Sequence, residues 1–279
     1  MKRPITIILL AFIALGYVQS QGNKNTNSHF LKFDLSSGLH NFHYSLKHGE
    51  KKGGMGYGIN LNYHYFFKSN WAIRTGCGLQ TFYSEAILNY THSVPAIDSD
   101  NEAYTLNTIY DNWREEQTAT MLSIPVGVAY THQLKDKWHL FSSLGLKAYV
   151  PLTARMQSTG GSIETRGSYP QYNVDLYGMP QHNYLTINQS AAKSLDMDVM
   201  LAATAELGVM HSFSKINIYA GAYLDYGLTN TNKSSTGDVY EINEYKGLFN
   251  SSQVEKIIPL AYGIKLGVIC DLSSITTIF

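Results

Sequence analysis

Two long polar segments, residues 84–116 and 153–194, carry the side chain types that hydrolytic enzymes use for catalysis. A histidine beside a carboxylate can act as a general base that activates water. The chain holds 10 histidines, so chance neighbours are frequent, and no spacing in these segments forms a catalytic motif. The sequence therefore predicts no catalytic residue and no enzyme; a hydrolase would need a His and an Asp within hydrogen-bond reach. The candidates for that pair are His92, Asp98, Asp100, Asp111, Asp175 and His182.

A second set of charged residues lies inside segments in which apolar and polar side chains alternate. Its cations and anions are nearly equal in number, which predicts that they pair with one another in a narrow interior. A proton or ion path is the less favoured alternative. The sequence has no CxxC, no HExxH and no spaced Cys/His set, so we expect no metal site and no cofactor. The predicted lumen charge network, a structural feature, consists of Lys32, Asp34, Arg74, Lys147, Glu206, Asp225 and Lys265.

Eight alternating segments must position these charges. In "MLSIPVGVAYTHQ", for example, Leu122, Ile124 and Val126 alternate with small residues such as Ser123 and Gly127. Alternation with a period of two predicts a β-strand with one apolar face and one small or polar face. The predicted strands are His29–His40, Met55–Phe66, Trp71–Tyr83, Met121–Gln133, Trp138–Leu152, Leu195–Met210, Ile216–Leu228 and Ile257–Leu272.

The connections between these strands alternate between short and long. Only a few residues join the second strand to the third, the fourth to the fifth and the sixth to the seventh, whereas the long connections include 84–116, 153–194 and 229–256. Short inner turns, long outer loops and aromatic residues beside the turns are typical of outer-membrane barrels. The sequence therefore predicts an all-β fold, an eight-stranded antiparallel up-and-down transmembrane β-barrel with long extracellular loops. The alternatives are ten strands, with a hairpin from 153–194, and a soluble periplasmic barrel.

The first 20 residues predict that the chain is exported. Lys2 and Arg3 precede an apolar run from Ile5 to Leu15, and small residues then lead to a cleavage point after Ser20, which is the pattern of a signal peptide. The predicted location is the outer membrane of a Gram-negative bacterium, in contact with outer-membrane lipid. The predicted divisions are a signal peptide at 1–20, a short segment at 21–28, the barrel at 29–272, and 273–279 as a tail or the end of the last strand.

Composition excludes some classes of partner. Lys plus Arg and Asp plus Glu are 21 each, so the zero net charge gives no indication of nucleic-acid binding. The 21 Tyr and 23 Gly residues suit β-strands, tight corners and membrane interfaces. Cys77 and Cys270 fall in predicted strands that are not neighbours, so we expect both to serve as small apolar residues and not to form a disulfide.

Pro125 conflicts with regular pairing of the fourth predicted strand. A proline removes a ladder hydrogen bond, and a closed barrel has no free edge on which to place the missing donor. We therefore expect a bulge or a lost ladder bond at Pro125, toward the outer rim. Pro259 poses the same problem near the start of the eighth strand.

The run "LSIPVGVAYTHQLKDKWHLFSSLGLKAYV" combines an Ile-Pro strand, a short charged turn and a Gly-containing return strand. It resembles the PorT-like family of outer-membrane β-barrels in Bacteroidota, and the final "IPLAYGIKLGVICDL" is similar to that family's last strand. The resemblance implies insertion by the barrel-assembly machinery, and some members are linked to protein secretion. We therefore expect a non-enzymatic outer-membrane protein with a plugged lumen and loops that contact envelope or secretion proteins. A small-solute pore or transporter is the alternative.

Overall fold

The computed structural model describes residues 28–188, 191–213, 216–231, 237–241 and 244–272. The predicted signal peptide at 1–20, all but the last residue of the segment 21–28, and the segment 273–279 lie outside the described residues. Within the described ranges, no helix has the length and apolar character needed to cross a membrane.

The described residues form fourteen strands and two short 3-10 helices, so the fold is all-β. The 3-10 helices are Pro180–His182 and Leu248–Asn250. The strands are β1 (Ser28–Leu46), β2 (Glu50–Gly53), β3 (Met55–Lys68), β4 (Trp71–Ile97), β5 (Ala103–Lys135), β6 (Trp138–Tyr169), β7 (Val174–Leu176), β8 (Thr186–Ile187), β9 (Ala192–Ser194), β10 (Met200–Phe213), β11 (Ile216–Gly227), β12 (Tyr240–Glu241), β13 (Glu244–Tyr245) and β14 (Val254–Asp271).

Eight long strands pair in a cyclic antiparallel order. β1, β3, β4, β5 and β6 pair consecutively, β6 pairs with β10, and β11 and β14 lead back to β1. These strands overlap the eight predicted segments, but the predicted count is wrong because the sheet contains twelve strands. The additional four are only two to four residues long, with β2 against β4 and β7, β8 and β9 against β6. The segment 153–194 therefore adds short strands rather than the long hairpin of the ten-strand alternative.

β4, β5 and β6 are 27, 33 and 32 residues long, far longer than predicted. The sequence predicts loops at 84–116 and 153–194, but β4 continues to Ile97, β5 begins at Ala103 and β6 continues to Tyr169. The strands are longer because side chains continue to alternate between the inside and the outside beyond the predicted apolar segments. Tyr110 and Ile163, for example, are buried. The three strands thus form a tall sheet at the end of the molecule with the long connections.

A β-bulge after Asp111 changes which residues of β5 face inward. The register with β6 shifts there, with Asn112 at φ 47° and Gly161 at φ 80°. Glycine suits the second position because a left-handed conformation strains other residues. An extra residue on one strand shifts the period of its side chains, so Tyr110 and Trp113 are both buried. β5 therefore buries even-numbered residues before the bulge, such as Thr108 and Tyr110, and odd-numbered residues after it, such as Trp113 and Glu115.

The cycle of strands has an exposed apolar face and a buried polar face. Leu35, Leu144 and Ile264 are 52%, 70% and 61% exposed, whereas Lys32 and Glu206 are 0% and 4% exposed. Water-soluble domains normally bury aliphatic side chains and expose charges. The arrangement in this molecule is the reverse, and it extends around all eight long strands.

The interior is layered from one end of the cycle to the other. Near the short turns, an aromatic cluster includes Phe141 and Tyr219. The predicted lumen charge network follows. Toward the long connections lies the outer core, a larger apolar cluster that includes Phe42, Trp113 and Phe249.

Pro125 interrupts the pairing of β5 with β4. Pairing stops after Thr75 and Val126, the next two positions of β4 have no assigned partner, and pairing resumes at Gly78 in the same register. The ladder is therefore lost at the proline, as predicted, without a bulge in this pairing. The predicted position near the outer rim is wrong, because Pro125 lies opposite Lys147 at the level of the charges.

Candidate functional site

The lumen charge network lies in the middle of the interior, and the structure brings all seven predicted residues there. Each is at most 4% exposed. Their inward position follows from strand alternation, which turns neighbours such as Phe33 and Leu35 outward. Charged side chains are rarely buried to this extent unless they are paired. β1 provides Lys32 and Asp34, and β4, β6, β10, β11 and β14 provide Arg74, Lys147, Glu206, Asp225 and Lys265.

Glu206 is the centre of the network, because three cations converge on its carboxylate. Lys32 Nζ donates to Oε1, while Arg74 Nη1 and Lys265 Nζ lie 2.8 and 3.0 Å from Oε2. Lys32 Nζ also lies 3.5 Å from the centre of the Tyr219 ring, a favourable cation–π distance. Charge-assisted hydrogen bonds of this kind are the strongest in proteins, so Glu206 joins four strands of the cycle.

Asp34 is held mainly by neutral groups. Its carboxylate accepts hydrogen bonds from Asn60 Nδ2 at 2.8 Å and Asn62 Nδ2 at 3.1 Å, both on β3. Lys32 Nζ lies 3.7 Å from Asp34 Oδ2. Asp34 therefore connects the Glu206 cluster to the polar side chains of β3.

Asp225 and Lys147 form a second buried ion pair. Lys147 Nζ donates to Asp225 Oδ2 at 2.5 Å, and Tyr149 Oη lies 2.7 Å from the same oxygen and 2.8 Å from Gln80 Oε1. With this pair the seven residues carry four positive and three negative charges. Their contacts run from strand to strand across the interior, so the network leaves one positive charge in excess and fills the space that a solute would need.

The end of the interior beyond the network is covered by the outer cap, which comprises the described residues 237–241 and 244–253. The cap contains β12, β13 and the 3-10 helix Leu248–Asn250. Leu248 and Phe249 are 0% and 3% exposed. The Phe249 ring lies 5.6 Å from that of Phe42 and 5.1 Å from that of Tyr44. The cap thus inserts its apolar side chains into the outer core.

Glu115 is the first of two buried acids that fix the cap. Leu248 N donates to its two carboxylate oxygens at 2.9 and 3.0 Å, Tyr245 Oη donates at 2.6 Å, and Gln117 Nε2 donates at 3.0 Å. Burial raises the pKa of Glu115 above its ordinary value, and these hydrogen bonds partly oppose that shift. A carboxylate on the long strand β5 thereby holds the backbone of the 3-10 helix.

Asp238 is the second buried acid, and it belongs to the cap itself. Its carboxylate accepts from the Tyr90 hydroxyl and from Gln253 Nε2 at 3.2 Å. Burial, followed by the nearby Tyr110 and Asp238, raises the pKa of Tyr90, which keeps this hydroxyl protonated as a donor. His92 Nδ1 lies 3.9 Å from Asp238 Oδ2, which is beyond hydrogen-bond reach. The cap is therefore fixed to β4 as well as to β5.

Sequence analysis missed Glu115, Tyr245 and Asp238. A signal for Glu115 exists in "NWREEQTAT", where every second residue from Trp113 onward is a candidate inward position. Asp238 and Tyr245 lie in a segment without a regular period, so no pattern identifies their partners.

The six predicted candidates for a catalytic pair fall in different places. Among them and within the described residues, no His–Asp hydrogen bond forms. Asp111 accepts from Asn112 Nδ2 at 2.9 Å, and Asp175 accepts from Ser168. His92 lies near Asp238 of the outer cap. The other three, Asp98, Asp100 and His182, come from two different segments and line one cavity at the outer tip of the molecule.

No group of three or more His, Cys, Asp or Glu residues is placed to hold a metal ion in the described ranges. Cys77 is exposed and Cys270 is half-buried, and both are free thiols. Neither cysteine contributes to the charge network.

No known family model matches the chain, and no curated protein matches it. Among solved structures, Neisserial surface protein A is similar, with a TM-score of 0.38, 9% identity, and coverage of 88% of this chain and 97% of that chain. Ail, the attachment invasion locus protein of Yersinia pestis, solved with the heparin analogue sucrose octasulfate, has a TM-score of 0.30, 9% identity, and coverage of 88% and 97%. The translocator domain of the autotransporter NalP from Neisseria meningitidis has a TM-score of 0.22, 12% identity, and coverage of 95% and 94%.

Proposed function

We propose that the chain is an outer-membrane β-barrel whose ring consists of the eight long strands, with a plugged lumen and an outer part that is a non-enzymatic surface for envelope or partner interaction. The observation that carries the proposal is the cyclic pairing of eight long strands with apolar side chains outside and charges inside. A closed ring satisfies every strand edge within the protein, as a bilayer requires. An aliphatic belt around the whole ring needs lipid to cover it.

The length of the belt supports this assignment. On β4 the exposed large apolar residues begin at Trp71 and run to Leu79, nine residues, and the next lies at the tip, Ile97. A strand needs about 9–11 residues to cross the hydrocarbon core of a membrane. The outer parts of β4, β5 and β6, the outer cap and Glu115 therefore lie outside the hydrocarbon region.

A plugged lumen fits the layered interior better than the alternative of a small-solute pore or transporter. Glu206 and its three cations fill the middle of the ring, and Leu248 and Phe249 of the outer cap close the outer end. An eight-stranded barrel leaves an interior just wide enough for side chains. The buried ion pairs thus take the place of a water path.

The outer half supports a role in interaction. It is a tall three-stranded sheet with a packed core, so it presents its loops on a rigid base above the membrane. The resemblance to the PorT-like group favours envelope or secretion proteins as partners, after export by the signal peptide and insertion by the barrel-assembly machinery. The hydrolase alternative would need a hydrogen-bonded His–Asp pair, and the six candidates, all within the described residues, form none.

Cell fractionation and gel migration test the membrane assignment. The wild-type chain should require detergent for extraction from the outer-membrane fraction, and it should migrate faster unheated than boiled. Leu144→Arg places a charge in the belt, where it costs about 2–4 kcal/mol at mid-depth, and should reduce the fast-migrating form. Leu134→Arg, at the short turn, is the matched control and should insert normally. Extraction without detergent would indicate the soluble periplasmic barrel instead.

Conductance tests the plugged lumen. The refolded chain should give no steady open-channel current in a planar bilayer. Steady currents would support the pore or transporter and would overturn this part of the proposal.

A further inference from the structure

A cavity of about 450 Å³ lies at the outer tip, between the turn that joins β4 to β5 and the segment that follows β6. It faces away from the proposed membrane and is separate from the outer cap. Its volume is in the range of small-molecule sites. The lining residues are Ile97, Asp98, Ser99, Asp100, Glu102, Tyr104, Tyr169, Tyr172, Val174, Leu176, His182 and Tyr184.

Four tyrosines form the aromatic walls of this tip cavity. The Tyr104 and Tyr169 rings are stacked with centroids 5.2 Å apart, and Tyr184 meets Tyr104 edge-on at 6.3 Å. Tyr172 is tilted against Tyr169 at 6.5 Å. Aromatic rings that line a cavity can attract cations, because the face of the ring carries partial negative charge.

Three carboxylates supply negative charge, and the lining contains no Lys or Arg. Asp98 accepts from Tyr169 Oη at 3.1 Å and from the backbone N–H groups of Asp100 and Glu102 at 3.0 and 2.9 Å. These hydrogen bonds, that from Glu102 foremost, hold the pKa of Asp98 below its usual range. The cavity is therefore anionic at neutral pH.

The two segments that form the cavity are joined to each other. Gln171 Nε2 donates to Ala103 O at 3.0 Å, and the Tyr172 hydroxyl donates to Glu102. Gly167 leaves room for Tyr184, because a Cβ at Gly167 would lie 2.2 Å from Tyr184 Oη. These contacts fix the positions of the cavity walls relative to each other.

We propose that the tip cavity binds an alkylammonium cation, with the methylene or methyl groups against the tyrosine rings and the charge beside the carboxylates. The proposal rests on the interaction role proposed above and names its ligand class. Two sources share this chemistry, a free small amine and the quaternary headgroup of a lipid.

Calorimetric titration of the full chain with choline tests the proposal. The detergent should be dodecyl maltoside, because its sugar headgroup does not compete for a cation site. Choline should bind saturably, and 3,3-dimethylbutan-1-ol, its neutral analogue of the same shape, should bind at least about tenfold more weakly because the cation–π and ionic attractions are lost. Equal binding of the two compounds, or no saturable binding of choline, would overturn the proposal.

Two pairs of variants separate a cation site from a general effect on the outer tip. Tyr104→Ala removes a wall, and its matched control is Tyr177→Ala, a 67% exposed tyrosine of the same region that does not line the cavity. Tyr104→Ala should weaken choline binding about two- to thirtyfold, with the control unchanged. Equal losses in both variants would contradict the site.

The charge is tested by the double variant Asp100→Asn, Glu102→Gln, in which the amide at 102 still accepts from Tyr172. Asp175→Asn is its control, because Asp175 lies outside the lining. The double variant should weaken choline binding, and the control should not; unchanged binding in the double variant would argue against the proposal. Binding of glycerophosphocholine as tightly as choline assigns the site to lipid headgroups, and preference for choline assigns it to free amines. Gel migration of each sample reports independently on the barrel, so failure of either proposal can be recognised separately.

Discussion

The lumen charge network and the outer core are adjacent layers of one interior, but the network consists of charged side chains and the outer core mainly of apolar ones. In the network, Glu206 gathers three cations from three other strands. In the outer core, Leu248 and Phe249 of the outer cap pack among aliphatic and aromatic side chains. Glu115 and Asp238 are buried there as well, but they join the cap to β5 and β4 through hydrogen bonds from backbone, amide and hydroxyl groups rather than through ion pairs.

The two layers should therefore respond differently to damage. Removing one partner of a buried ion pair leaves an uncompensated charge and costs more than the lost contact itself. Removing an apolar contact leaves a cavity whose cost depends on local collapse. We expect changes in the network to affect the whole ring and changes in the outer core to affect chiefly the cap.

The largest effect is expected for Glu206→Gln. The variant leaves Lys32, Arg74 and Lys265 without their common carboxylate, so the free energy of unfolding should fall by about 3–5 kcal/mol. Urea titration of the refolded chain in detergent, followed by tryptophan fluorescence, measures this loss. Glu255→Gln, an exposed glutamate on β14, is the matched control. A loss as small as that of the control would show that the network does not hold the ring.

A second large effect is expected for Leu248→Ala, which truncates a fully buried residue of the cap. Such substitutions cost about 2–5 kcal/mol, and here the cost should fall on cap docking. Limited proteolysis should become faster within residues 237–253, while the heat-dependent gel shift of the ring remains. Loss of the gel shift would mean that the two layers are one cooperative unit.

A smaller effect is expected for Tyr90→Phe. The change removes the hydroxyl that donates to buried Asp238 and keeps the ring. A hydrogen bond to a charged group is worth about 1.5–3 kcal/mol, so proteolysis of the cap should accelerate less than in Leu248→Ala. Tyr57→Phe, on the exposed face of β3, should leave the cap unchanged. Equal cleavage rates in the two Phe variants would show that the hydrogen bond to Asp238 does not hold the cap.

The smallest effect is a pH dependence of cap docking through Glu115. Because its pKa is raised when the cap is docked, the docked state binds the proton more tightly than the undocked state. Docking is then strongest below the ordinary glutamate pKa and weakens as the pH rises through the raised value. Hydrogen exchange at the Leu248 amide, corrected for its intrinsic pH dependence, should show this trend. Glu115→Gln should abolish it; a trend that persists in this variant comes from another group.

The same two layers differ in how far sequence reveals them. The seven network residues were identifiable because a charge cannot face lipid, so the strand period alone assigns them to the inside. The pairing of Glu206 with Lys32 was not identifiable, because it depends on how distant strands are placed around the ring. The long outer strands were missed because 84–116 has no continuous apolar face. Asp238 was missed because its segment has no period at all.

The position of Glu206 has a consequence for biogenesis. Its partner Lys32 is 174 residues away, on the first strand, and its partner Lys265 is 59 residues away, on the last. Those two strands pair directly with each other. In the proposed membrane barrel, the interior charges are therefore fully paired only when the first and last strands meet, since long-range contacts form late. Closure of the ring and completion of the ion pairs of Glu206 thus coincide, so in the proposed membrane barrel an incomplete ring would keep unpaired charges inside.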